Sequence, residues 1–289
     1  MTKIEKNIKI SFCDINNFGD ALNNLIFRNI FNVNPICTSV KKSDFIGIGS
    51  VLDQLLYKKR EFLFSIFPSL NDPLNILSSG FGFDLYTHFR KKKYLSPLKI
   101  RRRIHCVALR GEKTKFQLEK ILGLKIENVV LGDGGLLSSE IDNFTKTKKF
   151  SLGIIPHYGD AKSPIFHKIC ECNKNSIILN TNEYPPLEFL RKISECETII
   201  STAMHPLIAA DSLNIPNLWA RISEDTTSYY KFEDYYSAFG LKKEPFRFCC
   251  QYKNIDKMIQ ENYDMPFKKI ENVKKLLYTS IKKSIDCHF

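Results

Sequence analysis

The chain lacks several features that define whole classes of protein. Its nine cysteines include no Cys-x-x-Cys pair, and the close pairs Cys170/Cys172 and Cys249/Cys250 do not have the spacing of zinc ligands. No run approaches the roughly 18 uncharged apolar residues of a membrane-spanning helix. Residues 1–7 contain an acidic side chain and no apolar core, unlike a secretory signal. These absences predict a cytoplasmic protein with reduced, mostly buried cysteines and no metal site.

Positive charge is in excess. Lysine and arginine number 43 against 31 acidic residues, which gives a formal net charge of +12. This balance favours anionic partners, but the basic residues are too scattered to predict nucleic-acid binding. The densest clusters lie at residues 90–93 and 101–103. Each is interpreted either as a solvated loop or as a contact for an anionic membrane face or a diphosphate-linked substrate.

Short apolar segments alternate with helical segments along the chain. The predicted strands are Ile8–Cys13, Asp44–Ile48, Leu74–Leu77, His105–Leu109 and Val129–Leu131, then Leu152–Ile155, Ser176–Leu179, Thr198–Ser201 and Asn217–Ala220. This alternation predicts an α/β protein with mostly parallel sheets and helices on both faces.

The length and a polar stretch indicate two domains. A chain of 289 residues with 43% hydrophobic residues is long enough for two cores. The polar segment from about residue 138 to 149 is the best linker. We therefore predict an N-terminal Rossmann-like domain at 1–140 and a second at 150–289, closed by an amphipathic helix at about 270–285. We predict that these two doubly wound domains face each other across a cleft, which is a GT-B-like architecture.

The most informative segment follows the predicted strand Thr198–Ser201. A Ser/Thr turn leads to His205 at the start of an Ala-rich helix, and Asn214–Pro216 ends that helix. Ligands of open α/β sheets bind at such strand ends, where helix N-termini favour anions. His157 follows another strand in the same way. The pattern therefore predicts an anion site that contains ionisable imidazoles.

Other candidate residues also follow strands. Arg110 comes directly after an apolar strand, where a guanidinium could bind a carboxylate or phosphate, or form an interdomain salt bridge. Asp20 follows the Gly19 turn and is interpreted as a helix cap or a catalytic carboxylate. The glycine-rich segments Ser78–Gly82 and Gly132–Gly135 could cradle a phosphate, but they match no phosphate-binding motif and a structural turn is the favoured interpretation.

A cluster of charged and aromatic residues lies at Lys231–Tyr236. Its cation, two carboxylates and three rings suit a sugar site, where rings stack on apolar sugar faces. A surface turn with buried rings is the alternative interpretation.

Taken in order, these segments resemble the polysaccharide pyruvyltransferase family, in particular its succinoglycan-type ketal-pyruvate transferases. The motifs that carry the resemblance are Asn17–Asp20, Gly47–Ser50, Ser79–Gly82, Leu109–Gly111, Gly132–Asp133, Ile155–Tyr158, Ser201–Ile208, Ile215–Pro216 and Lys231–Tyr236. One departure is Ala203, where many members have an arginine two residues before the histidine. Arg110, Lys231 or Arg221 would then have to supply the missing charge.

The resemblance implies transfer of pyruvate from phosphoenolpyruvate to two hydroxyls of one sugar, which gives a cyclic ketal and phosphate. It implies no cofactor and no metal. The acceptor would be an oligosaccharide or lipid-linked glycan of a surface polysaccharide, and the enzyme could lie peripherally at the inner face of the cytoplasmic membrane. The resemblance implies that His205 is the general acid and that Asp20 and Asp234 are further catalytic residues. The residues expected to bind the donor are Arg110, His157, Lys231, Ser79, Gly80 and Ser201. The residues expected to bind the acceptor are Glu233, Tyr235 and Tyr158.

Two other functions fit the residue pattern without the resemblance. A GT-B glycosyltransferase that uses a nucleotide sugar would share the fold and the cations near a diphosphate. A non-catalytic glycan- or phospholipid-binding protein would keep the cleft without the chemistry.

Overall fold

We analysed a computed structural model of the chain. It describes residues 6–13, 18–55, 73–85, 103–222, 228–248 and 252–289. The basic cluster at 90–93 and most of the cluster at 101–103 lie outside the described residues, as do Asn17 of the first motif and Cys249 and Cys250.

The first half of the chain forms a parallel sheet of six strands. In chain order these are β1 (Lys6–Ser11), β2 (Val33–Cys37), β3 (Phe45–Ile46), β4 (Leu74–Ser79), β5 (Ile104–Leu109) and β6 (Val130–Leu131). Their order across the sheet is β2-β1-β3-β4-β5-β6. The order therefore reverses between β1 and β3, and this pair marks the sheet's topological switch point.

The second half forms a parallel sheet of five strands. These are β7 (Phe150–Ile155), β8 (Ser176–Ile178), β9 (Cys196–Ser201), β10 (Asn217–Arg221) and β11 (Phe246–Arg247). Their order is β11-β10-β9-β7-β8, so the switch point lies between β7 and β9. Both halves thus show the same 2-1-3-4-5 connectivity, which confirms the predicted α/β class with parallel sheets. The GT-B-like arrangement stays a prediction.

The α-helices of the described residues are α1 (Phe18–Asn29), α2 (Glu112–Leu122), α3 (Ile165–Cys172), α4 (Pro186–Ser194), α5 (Met204–Ser212), α6 (Tyr229–Ser237), α7 (Ile255–Asn262) and α8 (Phe267–Asp286). Two 3-10 helices, Leu52–Leu55 and Gly134–Glu140, follow β3 and β6. None of the helices in the described part of the chain is both long and apolar enough to cross a bilayer.

Local sequence explains where several helices begin and end. Helix α4 begins with Pro186, whose fixed φ suits a first helical position. It buries Phe189, Leu190 and Ile193, which have the 3.6-residue spacing of one apolar face. Helix α2 ends at Gly123, which adopts φ 69° and donates its N–H to the carbonyl of Glu119.

The structure contains elements that the sequence analysis did not predict. Strand β2 has Asn34 and Pro35 at its centre, which obscures its apolar pattern, and Pro35 is tolerated because β2 is an edge strand. The segment Lys231–Tyr236 lies within helix α6, so the surface turn of the alternative interpretation does not describe its backbone.

The cysteines also differ from expectation. All seven in the described residues are free thiols, but only Cys196 is buried. Cys37 lies at the end of an edge strand, and Cys172 and Cys287 lie on or just beyond the ends of helices, so these three are exposed. The prediction of mostly buried cysteines is therefore wrong.

Helix α8 packs on the first sheet although it follows the second sheet in the chain. It contacts β5, β6 and the 3-10 helix Gly134–Glu140. Val273 and Leu277 on its buried face approach Gly132 so closely that a β-carbon there would overlap Val273. One apolar cluster consequently runs from Ile8 to Ile285 and includes residues of both halves.

A buried ion pair joins the two halves. The Nε of Arg110, directly after β5, donates to an Asp234 oxygen at 2.9 Å, and both side chains are completely buried. Asp234 also accepts from the backbone N–H of Thr114 at 2.8 Å and from its hydroxyl at 2.6 Å. The carboxylate on α6 therefore binds both the guanidinium and the N-terminus of α2.

We predict that Asp234→Asn lowers the free energy of unfolding by about 3 to 5 kcal/mol, because it leaves the buried Arg110 charge uncompensated. Denaturant titration measures the effect. Asp142→Asn is the control: Asp142 pairs with the exposed Arg191 at 2.7 Å, and because solvent screens this pair its loss should cost far less than that of Asp234. Equal costs for the two variants would contradict a stabilising role for the buried pair.

Candidate functional site

The two switch points carry most of the residues that we predicted from the sequence. After β1 the chain enters α1 at Phe18, with Asp20 in its first turn. After β7 and β9 come His157 and His205, the latter in the first turn of α5. Strands of one parallel sheet all end at the same edge, which is where open α/β sheets bind ligands.

Hydrogen bonds fix the first switch point. The side chain of Asn23 on α1 accepts from the N–H of Ile48 at 2.8 Å and donates to its carbonyl at 3.1 Å. The Ser79 hydroxyl, at the end of β4, donates to the carbonyl of Gly49 at 2.8 Å. The loop after β3 is therefore held from two sides, and Ser79 stabilises it from a fully buried position.

The second switch point is fixed in the same manner. The Thr202 hydroxyl accepts from the N–H of His157 at 2.8 Å. The Ser201 hydroxyl lies 2.7 Å from the carbonyl of Ile155 and accepts from the N–H of Ala203 at 3.0 Å. Ser201 is buried, so its hydroxyl stabilises the turn before His205.

His205 brings the two switch points together. Its imidazole lies directly against Gly19, where a β-carbon would overlap the Nδ1 atom. The Nε2 atom is buried and has no hydrogen-bond partner among the described residues. Position 19 therefore requires glycine because the His205 imidazole lies so close to it, and that imidazole keeps one nitrogen without a hydrogen-bond partner.

Lys231 lies at the centre of the charged groups. Its ammonium influences the pKa of both His157 and His205, and it interacts electrostatically with Arg110 and Asp20. It forms no ion pair or hydrogen bond with the residues the structure describes, and its Nζ lies 5.6 Å from the centroid of the Phe232 ring. Burial, together with Arg110, lowers the pKa of Lys231 to about 8 against the opposing effect of Asp20.

Both histidines are uncharged at neutral pH. Burial, then Lys231 and Arg110, lowers the pKa of His205 to about 3. Burial and Lys231 lower the pKa of His157 to about 4, with a smaller opposing effect of Asp160. The Nδ1 of His157 accepts from the Gly159 N–H at 3.2 Å, which places the proton of the neutral ring on Nε2.

Arg110 is occupied by protein groups. Besides Asp234, its guanidinium donates to the Ser50 hydroxyl at 2.9 Å and to the carbonyl of Phe81. Its planar group lies against Gly80, where a β-carbon would overlap it. The structure shows a salt bridge from Arg110 to Asp234 in the other half of the chain, so Arg110 acts on the site through its charge and through the loops it holds.

Asp234, Glu233 and Tyr235 do not share one surface. Asp234 accepts three hydrogen bonds in the core, and the Tyr235 hydroxyl donates to the buried Asp211 at 2.6 Å. Glu233 forms an ion pair with Lys113 on α2. This arrangement supports structural roles for Asp234 and Tyr235, in contrast to the catalytic and acceptor-binding roles predicted from the sequence.

Tyr158 differs from these residues because it faces solvent. Its side chain is 63% exposed, and its ring lies 4.2 Å from the ring of His157. An exposed ring beside the second switch point is consistent with the predicted contact to a sugar.

Two carboxyl groups with raised pKa values were not among the site residues predicted from the sequence: Asp53, which is partly buried, and Asp133, which is completely buried. Asp53 lies in the 3-10 helix after β3, and burial raises its pKa to about 6 despite the Gly82 amide and Arg110. Asp133 follows β6, and burial raises its pKa to about 6 as well. Across the described ranges, no three His, Cys, Asp or Glu side chains are arranged to hold a metal ion.

We predict that His205 makes stability depend on pH. Its pKa is about 3 in the folded state but near 6.5 when unfolded, so the unfolded chain takes up the proton first as pH falls. Unfolding free energy should therefore drop from pH 7 to 5, and His205→Gln should reduce that drop by about 1 to 2 kcal/mol. Denaturant titrations at each pH measure it, with His167→Gln on the exposed side of α3 as control. Identical slopes in all three proteins would contradict the assignment.

Comparisons with known proteins show the family to which the chain belongs. An uncharacterized protein, L143, of Acanthamoeba polyphaga mimivirus is 24% identical over 243 residues, which cover 82% of this chain and 76% of that protein. The succinoglycan biosynthesis protein ExoV of Rhizobium meliloti is 23% identical over 233 residues, which cover 80% of this chain but only 64% of ExoV. The family model for polysaccharide pyruvyl transferase matches residues 3–223, a span that includes both switch points. The chain belongs to the polysaccharide pyruvyl transferase family.

Proposed function

We propose that this enzyme transfers pyruvate from phosphoenolpyruvate to two hydroxyls of a sugar in a surface polysaccharide or its lipid-linked precursor, forming a cyclic ketal. The observation that carries the proposal is Lys231, a partly buried cation without an ion-pair partner in the described structure, which interacts electrostatically with the two switch-point histidines. Phosphoenolpyruvate carries a carboxylate and a phosphate, and such a cation would neutralise part of that charge.

The neutral imidazoles suit contacts with the donor and the acceptor. The Nε2–H of His157 could donate to an anionic oxygen without adding charge. The unpaired nitrogen of His205 could accept the proton of an attacking sugar hydroxyl, and Asp20 is the second candidate base near Lys231. A general acid must hold a proton at neutral pH, so the low pKa of His205 favours this role over the acid role predicted from the sequence.

The family resemblance includes an arginine that this chain lacks at Ala203. Arg110 is engaged by Asp234, Ser50 and Phe81, and Arg221 stacks on the ring of Tyr229 at 3.9 Å. Of the three cations considered, Lys231 therefore fits best as the group that binds the donor anion.

Phosphate release tests the function directly. The protein would be incubated with phosphoenolpyruvate and lipid-linked oligosaccharides, and free phosphate and a ketal methyl signal would be measured. Release of a nucleoside diphosphate from a nucleotide sugar would instead indicate a glycosyltransferase. Glycan binding without turnover of either donor would indicate a binding protein.

We predict that Lys231→Met weakens phosphoenolpyruvate binding by about 2 to 5 kcal/mol, because it removes a charge-assisted, partly buried contact. Calorimetry measures the affinity, with Lys162→Met, an exposed lysine near the second switch point, as control. Wild-type affinity should also fall as pH rises through about 8, where the ammonium loses its proton, and this dependence should vanish in the variant. Equal affinities for Lys231→Met and Lys162→Met would rule out Lys231 as the anion ligand.

A further inference from the structure

The solvent-facing side of helix α8 is strongly basic. Its buried face packs on the first sheet and on the 3-10 helix Gly134–Glu140. Lys268, Lys275 and Lys282 are exposed and lie seven residues, or about 10 Å, apart, so they form one stripe along the helix. Lys269 and Lys283 lie in a parallel stripe with the exposed Leu276 between them. We call the side of the helix that carries these five lysines and Leu276 the α8 lysine face.

The acidic residues of α8 leave most of this charge unbalanced. The helix contains two of them, Glu271 and Asp286. Glu271 pairs with the buried Lys274 at 2.8 Å, and Asp286 lies 3.2 Å from Lys282. The lysines of the face that form no ion pair with any residue the structure describes are Lys268, Lys269, Lys275 and Lys283. The α8 lysine face therefore presents an extended row of positive charge to the solvent.

The position of two of these lysines opposes the helix dipole. Lys268 and Lys269 lie in the first turn of α8, which has no acidic residue, and Pro266 before it provides no side-chain cap. Positive charge at a helix N-terminus is unfavourable, because the backbone dipole is positive there. Anions outside the chain, placed near this first turn, would offset that cost.

Exposed apolar side chains lie among and beside the lysines. Leu276 is 46% exposed, and Tyr278 is 40% exposed with its ring stacked on Phe31. Phe289, just beyond the helix, is 52% exposed, and the Lys6 ammonium lies 4.3 Å from the centroid of its ring. Nucleic-acid phosphates would satisfy the lysines but leave these apolar groups in water. Lysines together with exposed apolar side chains are typical of helices that lie on an anionic membrane surface.

Helix α8 runs antiparallel to the strands of the first sheet. Val273 packs against Gly132, which follows β6 at the carboxyl ends of the strands. His288, just past the helix, lies 3.7 Å from Asp44, which precedes β3 at the amino ends. The first turn of α8, with Lys268, therefore lies on the side of the sheet edge that carries the first switch point. A membrane along the α8 lysine face would extend toward the same edge.

We propose that the α8 lysine face docks the protein on a membrane surface that contains acidic phospholipids. The lysines contact the lipid phosphates, and Leu276 lies among the headgroups. This inference goes beyond the function proposed above and does not depend on it, because neither phosphoenolpyruvate nor a glycan takes part in the docking. Its consequence for that function is that a lipid-linked acceptor and the candidate site are brought to one surface.

Co-sedimentation with lipid vesicles tests the docking. Wild type should bind vesicles of equal parts phosphatidylcholine and phosphatidylglycerol and should not bind vesicles of phosphatidylcholine alone. Each lysine near an anionic surface strengthens binding about fivefold. The triple variant Lys268→Gln, Lys275→Gln and Lys283→Gln should therefore bind about 100-fold more weakly. Raising the salt concentration from about 0.05 to about 0.5 M should weaken wild type more than this variant.

A matched control has the same net charge as the α8 triple variant. It combines Lys162→Gln, Lys168→Gln and Lys174→Gln, three exposed lysines in or beside α3 on the second sheet. We expect its vesicle affinity to stay within about threefold of wild type, because net charge alone does not position a face on a bilayer. Leu276→Ser, which changes no charge, should weaken binding to the anionic vesicles about three- to tenfold.

The outcomes separate docking from its alternatives. Thermal unfolding establishes that each variant is folded. No binding of wild type to the anionic vesicles, or equal losses in the two triple variants, would overturn the proposal. Tighter binding to a DNA duplex than to these vesicles, lost in the α8 variant, would assign the face to nucleic acid instead. Phosphate release from phosphoenolpyruvate with an acceptor that carries no lipid should be unchanged in the α8 variant; if wild type releases none with any acceptor, the proposed function fails and the vesicle result still stands.

Discussion

The ion pair between Arg110 and Asp234 is the interaction on which the site depends. Helix α2 begins after Gly111, which has no side chain to cap the free N–H groups. Asp234 supplies the cap from the other half of the chain and at the same time neutralises Arg110. The close approach also requires Gly111, where a β-carbon would overlap the Asp234 carbonyl oxygen. One carboxylate therefore sets the position of α6, and with it Lys231, relative to the first sheet.

The pairing of Arg110 with Asp234 also affects the protonation of Lys231 and His205. Asp234 balances Arg110, so Lys231 remains as a partly buried charge that Asp20 balances only in part. Lys231 and Arg110 then keep His205 neutral, and burial adds to the effect. A site that is positive but contains uncharged imidazoles can attract an anion and still accept a proton from a hydroxyl.

The sequence predicted the strands with continuous apolar runs and the residues that follow them, because these depend on local pattern. Helix α6 was missed although Phe232, Tyr235 and Tyr236 have the i, i+3, i+4 spacing of one buried helical face, because the segment was considered only as a sugar site or a surface turn. The pairing of Arg110 with Asp234 spans 124 positions and depends on tertiary packing. Asp53 had no motif to mark it, since its properties come from burial.

Arg110 links the pKa values of two other groups at the first switch point. Burial raises the pKa of Asp53 to about 6, and the Arg110 charge opposes that rise. Burial lowers the pKa of Lys231 to about 8, and the same Arg110 charge adds to that effect. Because Asp234 neutralises the Arg110 guanidinium, loss of Asp234 should lower the pKa values of Asp53 and Lys231 together.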